Sequence, residues 1–417
     1  VFYLAAMLYL PRVATRRWAF YLGFLLGYAI GVPHLFFLYG IFGWGAIGLW
    51  GVFALWFAFY LLLGRMFLDR WPRAGVWLLP FLWFALEFFR SELYPLRFSW
   101  LIPGFALSHP RWIGLTTFGV YGFSLSVMLA VAAFDRLPRK LGIPGLTVCL
   151  LGMIAVALFP PSVKTPEGLL VVGMQMESPT ESQVLAGLDA MHHQHPEADL
   201  LLLSEYTLEG LPPESVRAWC VEHDRYLIVG GKDPVKGEGQ FYNTIFVVSP
   251  TGEIVYRQAK VQPIPFFNDG LPAKGQDVWE SPWGRLGIAI CYDMSYTRVM
   301  DPLVEAESGA LIIPAVDVIS WGEWEHVLHA KIIPVRAHEY GLPLFRLGSS
   351  GISVFADENG QTLALAGYPG PNEILSARLP VQEAGHLPLD RYLALPIVCA
   401  IGVLFVLAML PRKKVKL

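Results

Sequence analysis

The chain has 417 residues, of which 54% are hydrophobic and 16% are charged, with a formal net charge of −3. Soluble proteins carry about 25% charged residues. The composition therefore excludes a disordered chain, a basic nucleic-acid-binding protein and a simple cytosolic enzyme. Apolar residues are concentrated in 1–160 and 392–410. We therefore expect a membrane part and a separate soluble part.

Six apolar segments have the length of a membrane-spanning helix, about 20 residues. They are 18–38, 42–63, 74–90, 112–134, 142–160 and 392–410. Residues 1–10 are similar to the end of a seventh span and have no small-residue cleavage site, so they make a poor signal peptide. Because the chain starts with Val, the sequence leaves open whether residues precede Val1.

Lys and Arg are concentrated in alternate loops between these segments. The basic loops are 11–17, 64–73 and 135–141, together with the tail after 410. If all seven segments cross, these loops share one side, which the positive-inside rule makes the cytoplasm. The predicted domains are a multi-pass α-helical bundle at 1–165, an outer domain at 166–390, and a C-terminal helix with a basic cytoplasmic tail at 391–417.

Two features of the membrane part differ from plain spans. Glu87 lies inside the segment 74–90, where an ionisable side chain is unfavourable and often functional. We expect it either to pair with Arg90 or Arg97 or to take part in substrate handling. Residues 91–111 contain three Pro, one Gly and one His, which predicts a partly inserted loop on the outer side.

The soluble part alternates short apolar runs with helical patterns. Predicted strands are 169–176, 199–206, 225–231, 243–249, 252–259, 285–293 and 310–316, followed by two strands within 342–357. Helical spacing is present in 182–196 and 320–341. Pro-Thr-Gly at 250–252 predicts a hairpin turn. This pattern favours an α/β layered sandwich.

Three chemically complementary residues follow predicted strands: Glu205, Lys260 and Cys291. Strand ends are the usual position of catalytic groups in α/β folds. A Cys thiolate is a nucleophile, a carboxylate can take the thiol proton, and an ammonium can stabilise an oxyanion. Each residue alone is more often structural, but together they form a plausible site. A His–Cys pair is a weaker hypothesis, because no His spacing pairs one clearly with Cys291.

The sequence implies no cofactor and no metal. Only Cys220 and Cys291 could meet in the soluble part, and the chain has no disulfide framework or CxxC metal motif. Metal binding by His192, His193 and His195 has little support, since no HExxH-type pattern is present. The segment 230–239 has the wrong order for a phosphate-binding loop.

Three blocks resemble the signature blocks of the nitrilase, or carbon–nitrogen hydrolase, superfamily. They are LLLSEY (201–206), YNTIFVVSPTGEIVYRQAKVQPIPF (242–266) and LGIAICYD (286–293), with a fourth similar block at 336–361. That superfamily uses Glu, Lys and Cys in this order. The resemblance implies an αββα sandwich for the soluble part.

Motifs in the membrane part resemble one particular family of this superfamily. ALEFFRSEL (85–93), FSW (98–100) and GVYGFSLSVML (119–129) are similar to motifs of the apolipoprotein N-acyltransferase family. That family works on the outer face of the bacterial inner membrane. It moves an acyl chain from a phospholipid donor to the diacylglyceryl-cysteine of an apolipoprotein acceptor. The resemblance implies this location and these partners, with no nucleic acid.

The resemblance also implies residue roles. Cys291 would become a thioester, and Lys260 would stabilise the oxyanion. Glu205 would be the general base and would later handle the proton of the incoming amine. Tyr292 and Asp293 stand where the family has Tyr-Glu. After the Lys, the family has Pro-Phe-Gly-Glu, and here Asn268 takes the Glu position with Asp269 beside it. Asp269 would replace that Glu if the loop shifted by one residue.

This departure leaves the acyl acceptor open. A membrane-anchored nitrilase-type amidase or acyltransferase with another acceptor, similar to relatives among conjugal-transfer proteins, is an alternative. A non-catalytic scaffold that kept the fold is a third hypothesis, which the intact Glu, Lys and Cys disfavour.

Overall fold

A computed structural model describes residues 2–13, 15–106, 114–136, 167–237 and 239–411. The chain divides into two compact units. The first, here called the helical unit, comprises Val1–Gly104, Arg111–Ser162 and Pro388–Leu417. The second, here called the α/β unit, comprises Phe105–Pro110 and Val163–Leu387.

The described part of the helical unit consists of helices joined by short turns. The helices are α1 (Phe2–Val13), α2 (Arg16–His34), α3 (Phe37–Phe42), α4 (Ala46–Arg70), α5 (Gly75–Phe88), α6 (Gly114–Arg136) and, at the C-terminal end, α12 (Asp390–Met409). A π-helical turn, Phe89–Leu93, extends α5, and Pro103–Ala106 forms a 3-10 turn. The predicted loop 91–111 contains no long helix within its described residues.

Three helical stretches are long and apolar enough to cross a membrane: Phe37–Arg70, Gly114–Arg136 and Asp390–Met409. They contain most of the predicted spans 42–63, 112–134 and 392–410. The predicted spans 18–38 and 74–90 are helical over most of their length, as α2 and α5, but are not among these three. The predicted span 142–160 lies outside the described residues, so the multi-pass arrangement stays a prediction.

Helices α2 and α4 approach closely because glycines line one face of α2. Gly23, Gly27 and Gly31 are spaced four residues apart, which places them on one side of the helix. A Cβ atom added at Gly27 would lie 2.4 Å from the Cα atom of Ala54. Small residues at this spacing allow two helix backbones to pack directly together.

Ion pairs connect the ends of four helices in the helical unit. Arg12 of α1 contacts Asp135 of α6 at 3.1 Å, and Arg16 of α2 contacts Asp69 of α4 at 2.9 Å. Arg65 also contacts Asp69, at 2.9 Å. We call these five residues the helix-end cluster. The cluster joins three segments that the sequence analysis identified as basic loops or their borders.

Two six-stranded sheets form the centre of the α/β unit. The strands are β1 (Leu169–Met174), β2 (Leu200–Leu202), β3 (Tyr226–Pro234), β4 (Phe241–Val248), β5 (Ile254–Ala259), β6 (Val278–Ser281), β7 (Gly284–Ile288), β8 (Ala310–Ala315), β9 (Leu344–Gly348), β10 (Ser353–Ala356), β11 (Thr362–Ala366) and β12 (Ile374–Leu379). Their orders are β12-β1-β2-β3-β4-β5 and β11-β10-β9-β8-β7-β6. Strands β1–β3 are parallel, as are β7–β9, and the remaining pairs are antiparallel.

Helices cover the sheets. They are α7 (Glu181–Gln194), α8 (Glu214–His223), α9 (Thr297–Glu305), α10 (Glu323–Ala330) and α11 (Ile332–Tyr340). Leu188 of α7 and Trp219 of α8 share an apolar cluster with Leu201 and Val229 of the first sheet. A Cβ atom at Gly173 of β1 would lie 2.9 Å from the Leu347 side chain of β9, so the two sheets pack against each other. The predicted two-sheet α/β sandwich is confirmed.

Candidate active site

The three residues selected from the sequence, Glu205, Lys260 and Cys291, all lie just beyond strand ends. Glu205 follows β2 by three residues, Lys260 follows β5 directly, and Cys291 opens a 3-10 turn after β7. Each has at most 1% of its surface exposed. A buried charge is stable only when it is paired and hydrogen-bonded, so the partners of these side chains define the site.

Lys260 lies between two carboxylates. Its Nζ atom is 2.8 Å from Glu205 Oε1 and 2.9 Å from Asp269 Oδ2. The Nδ2 atom of Asn243 donates to both acids, at 2.5 Å to Glu205 Oε1 and 2.8 Å to Asp269 Oδ1. We call these four residues the Lys260 cluster. Asn243 therefore bridges the two acids. Its place in the site was not predicted from the sequence.

The charges of the cluster set the protonation of Lys260 and Glu205. Burial alone would lower the pKa of Lys260, but Asp269 and Glu205 outweigh burial and raise this pKa well above its ordinary value. Lys260 is therefore an ammonium. Burial raises the pKa of Glu205, and Lys260 opposes that rise. A carboxylate with a raised pKa is a stronger base than an exposed one.

The structure decides between the two candidates in the loop after Lys260. Asp269 is buried and contacts Lys260, and it also accepts from Tyr206 Oη at 2.8 Å and from the Ile264 backbone N–H at 2.7 Å. Asn268 is exposed. Of the two residues, Asp269 is therefore the one that contacts Lys260, and its correspondence to the family's Glu stays a prediction. The loop turns so that Asp269 faces inward.

Cys291 lies in a constrained turn. Its φ angle is 51°, in the left-handed region that residues other than Gly rarely adopt. Its Sγ atom lies 3.7 Å from the Val316 carbonyl oxygen, while the Val316 N–H donates to Glu205 Oε2 at 2.8 Å. Val316 thus contacts both the thiol and the carboxylate. Burial raises the pKa of Cys291 well above its ordinary value, and Glu205 raises it further, so the resting form is the thiol.

Asp293 connects the Cys291 turn to the segment after Lys260. Its carboxylate accepts from the backbone N–H groups of Gln262 at 2.7 Å, Val261 at 3.2 Å and Ile290 at 3.4 Å. Burial raises the pKa of Asp293 to about 6, with Lys260 opposing the rise. Asp293 thus holds the Cys291 turn and the segment after Lys260 together through hydrogen bonds. The ring of Tyr292, beside it, packs at 5.0 Å from that of Tyr296.

A second polar cluster adjoins Cys291 and was not anticipated. The Sγ atom of Cys291, a carboxylate oxygen of Asp317 and a ring nitrogen of His329 all lie within 4.8 Å of one another. Asp317 Oδ1 is 2.9 Å from His329 Nδ1, and Arg346 Nη2 bonds to Asp317 Oδ2. The only available signal was the acid directly after strand β8. No spacing rule connects His329 to it, because helix α10 is positioned by tertiary packing.

This second cluster has the donor types of a metal site, but its charges oppose one. Burial alone would raise the pKa of Asp317, yet Arg346 and then His329 outweigh burial and lower it well below its ordinary value. The carboxylate is therefore already neutralised by a buried guanidinium. A second cation at this position would be repelled by Arg346.

Glu87 belongs to the helical unit. It is 4% exposed and lines a small cavity with Tyr3, Trp83 and Arg90. Arg90 lines the same cavity, but the predicted pairing of Glu87 with Arg90 or Arg97 stays a prediction. A role in substrate handling stays untested.

Comparison with known proteins agrees with the geometry. The family model described as carbon–nitrogen hydrolase matches residues 185–388. The apolipoprotein N-acyltransferase of Pasteurella multocida (strain Pm70) is 24% identical over 434 residues, covering 87% of this chain and 82% of that protein. The apolipoprotein N-acyltransferase of Rhizobium rhizogenes (strain K84 / ATCC BAA-868) is 24% identical over 308 residues, covering 62% and 54%.

Among solved structures, a carbon–nitrogen hydrolase from Helicobacter pylori G27 superposes with a TM-score of 0.45 at 18% identity, covering 51% of this chain and 89% of that one. The chain spans most of the first curated relative but only about half of the second. The resemblance drawn from the sequence is confirmed: this chain is similar to apolipoprotein N-acyltransferases, and its residues 185–388 match the carbon–nitrogen hydrolase family model.

Proposed function

We propose that this chain is a membrane acyltransferase. It transfers a fatty acyl chain from a phospholipid to the α-amine of the N-terminal diacylglyceryl-cysteine of lipoproteins, through a thioester on Cys291. The observation that supports this most is the burial of Glu205, Lys260 and Cys291 just beyond strand ends, with Val316 contacting both the thiol and the Glu205 carboxylate.

The first half-reaction uses Glu205 as the base. Because the pKa of Cys291 is raised, its proton must leave as sulfur attacks the ester carbonyl carbon. Glu205 takes this proton, a C–S bond forms, and the negative charge that develops on the carbonyl oxygen is stabilised by Lys260. The ester C–O bond then breaks, and the departing alkoxide receives the proton from Glu205. The products are a thioester and a lysophospholipid.

Asp269 completes this arrangement. If Glu205 were the only acid beside Lys260, the ammonium and the general base would form a pair with no net charge. The second carboxylate at 2.9 Å keeps Lys260 protonated throughout the cycle. We infer that Asp269 has the role of the additional Glu in the related family, as a group that holds Lys260 in position.

We also infer a multi-pass protein of the bacterial inner membrane with the α/β unit on the outer face. Three helical stretches have the length and composition of spans. The helix-end cluster joins residues from the segments 11–17, 64–73 and 135–141 or their borders. The positive-inside rule assigns basic segments of this kind to the cytoplasmic side.

One observation favours the alternative of a nitrilase-type enzyme with another acceptor. The loop after Lys260 differs from the family pattern and exposes two aromatic side chains, Phe266 at 71% and Phe267 at 41%. Exposed aromatic residues beside a site contact whatever enters it. A changed loop at this position therefore fits a changed acceptor.

Intact-mass analysis of the full chain tests the thioester. The purified protein is incubated with phosphatidylethanolamine vesicles, without acceptor. We expect the wild type to gain one acyl chain that hydroxylamine removes, and Cys291→Ala to gain none. Cys399→Ala is the matched control, because Cys399 is an exposed cysteine on α12.

The acceptor is identified by the fate of this adduct. Transfer to a diacylglyceryl lipopeptide supports the N-acyltransferase, whereas release of free fatty acid with no lipopeptide product supports the alternative. An adduct that persists in Cys291→Ala, or no adduct on any variant, contradicts the proposal.

A further inference from the structure

The polar cluster around Asp317 lies beside the nucleophile, but the first half-reaction does not use it. A ring nitrogen of His329 and a carboxylate oxygen of Asp317 both lie within 4.8 Å of Cys291 Sγ. The side chains of His329 and Asp317 are at most 3% exposed. A buried imidazole beside a nucleophile is a candidate acid or base, because it changes protonation near neutral pH.

Asp317 fixes the orientation of this imidazole. Its Oδ1 atom is 2.9 Å from His329 Nδ1, and its Oδ2 atom is held by Arg346. Its backbone is held as well, because the Asp317 carbonyl accepts from Ser349 Oγ at 2.9 Å. With Nδ1 donating to Asp317, the neutral ring carries its proton on Nδ1, and Nε2 is the basic nitrogen.

Both carboxylate oxygens of Glu205 are already held by hydrogen bonds in the resting site. Its Oε1 atom accepts from Lys260 and Asn243, and its Oε2 atom accepts from Val316. The nucleophile of the second half-reaction attacks the carbonyl carbon bonded to Sγ. A base for that nucleophile must therefore lie a few ångströms from Sγ, and a ring nitrogen of His329 lies within 4.8 Å of it.

We propose that His329 is a further catalytic residue, which takes the proton of the amine or water that attacks the Cys291 thioester, and that Asp317 is its positioning residue. This inference rests on the proposed thioester. The amine nitrogen forms the C–N bond, and its proton passes to His329 Nε2. The C–S bond then breaks, its electron pair stays on Sγ, and the proton returns from His329 to the thiolate. With water, a carboxylic acid replaces the amide.

The charges around His329 favour the neutral, basic ring. Burial lowers its pKa, Asp317 opposes this, and Arg346 and Lys260 lower it further. The net pKa lies below the ordinary value of 6.5.

Three other groups face the ring. Glu325 Oε1 is 3.7 Å from His329 Nδ1, and the pKa of Glu325 is raised well above its ordinary value, first by burial, so it is uncharged. His326 lies on the same helix, and the Tyr292 ring lies 6.4 Å away. His329 is therefore ready to accept a proton at pH 7.

The test separates formation of the thioester from its discharge. The full chain is acylated with p-nitrophenyl decanoate, an activated ester that does not depend on the natural phospholipid donor. The ester is removed by gel filtration. Loss of the acyl mass is then followed over a range of pH, with and without S-alkyl-cysteine amide as acceptor.

For His329→Gln, we expect acylation within about threefold of wild type and discharge slower by about 100-fold, the usual contribution of a general base. The wild-type discharge rate should fall at a pH below 6.5, and this decrease should be absent from the variant. His326→Gln is the matched control. It removes a buried histidine of the same helix whose Nε2 atom lies 3.2 Å from the Asp317 carbonyl oxygen.

Three results overturn the inference. The first is equal discharge by wild type and His329→Gln. The second is an equal loss in both half-reactions, or in both histidine variants, which indicates a structural role. The third is no adduct on wild type even from the activated ester, which also overturns the thioester itself. An adduct from the activated ester but none from phospholipid contradicts only the proposed donor.

Discussion

The helix-end cluster and the Lys260 cluster are both networks of acids and bases, but they differ in exposure. Side chains of Arg12, Asp135, Arg16 and Asp69 are 25–52% exposed. Those of Lys260, Glu205 and Asp269 are 0–4% exposed. Water and salt screen the first cluster, whereas the second is held in a low dielectric. The same type of contact therefore serves to join helices in one unit and to hold reactive charges in the other.

The largest expected effect is the loss of the central cation. Lys260→Met leaves Glu205 and Asp269 buried and unneutralised. Breaking a buried pair in this way lowers the free energy of unfolding by about 3–5 kcal/mol. We expect faster hydrogen–deuterium exchange in β2 and β5, measured by mass spectrometry on the full chain in detergent.

Lys232→Met is the matched control for this change. Lys232 pairs with Glu209, and the two side chains are 33% and 89% exposed. An exposed pair contributes about 0–1 kcal/mol. Equal exchange rates in the two variants would show that burial does not distinguish the clusters.

The next effect is a pH dependence from Asp293. Its pKa is about 6 in the folded chain against an ordinary 3.8, so the folded state binds this proton more tightly than the unfolded state does. Stability therefore falls as pH rises from about 4 to about 6, by at most about 3 kcal/mol. Asp293→Asn should gain stability relative to wild type across this window and keep a constant difference above it.

Denaturation of the two proteins at a series of pH values measures this difference. Asp233→Asn removes an acid whose side chain is 26% exposed and pairs with Arg257, and it serves as the control. If Asp293→Asn tracks wild type at every pH, the pKa of the Asp293 carboxyl is the same in the folded and unfolded chains.

Much of the fold was predictable because local signals determine it. The hairpin of β4 and β5 has two short runs rich in β-branched and aromatic residues. Its turn lies at 250–252, where the Gly252 N–H donates to the Ser249 carbonyl at 2.9 Å. The two strands within 342–357 also form as predicted. Strands β6, β11 and β12 were missed, because each has at most six residues and partly exposed side chains.

The site was predictable only in part, for a physical reason. Glu205, Lys260 and Cys291 stand just beyond strand ends, a position that can be read from the sequence. Their meeting also depends on how the two sheets pack, because β7 belongs to the second sheet. The choice between Asn268 and Asp269 depends on the course of one loop. The position of His329 depends on how helix α10 packs on the second sheet. The spacing of residues along the chain predicts neither the course of this loop nor the position of His329.

The third prediction concerns the glycine face that helps to hold the helical unit together. A Cβ atom at Gly27 would meet the α4 backbone at 2.4 Å, whereas one at Gly48 would meet nothing within 4 Å. Gly27→Ala should lower stability by about 1–3 kcal/mol, as overpacking does. Gly48→Ala should be neutral or stabilising, since Ala is the better helix former. Thermal unfolding in detergent measures both, and a decrease for Gly48→Ala alone would contradict this packing.

The smallest expected effect lies in the helix-end cluster. Asp135 accepts from Arg12 at 3.1 Å and from Tyr9 Oη at 2.9 Å, in contact with solvent. Asp135→Asn should lower stability by about 0.2–1 kcal/mol. That difference should shrink further in 1 M salt, where the screening length is about 3 Å. Asp269→Asn removes a buried acid that pairs with Lys260, and its effect should persist in salt. Equal salt dependence of the two variants would mean that exposure does not control the strength of these clusters.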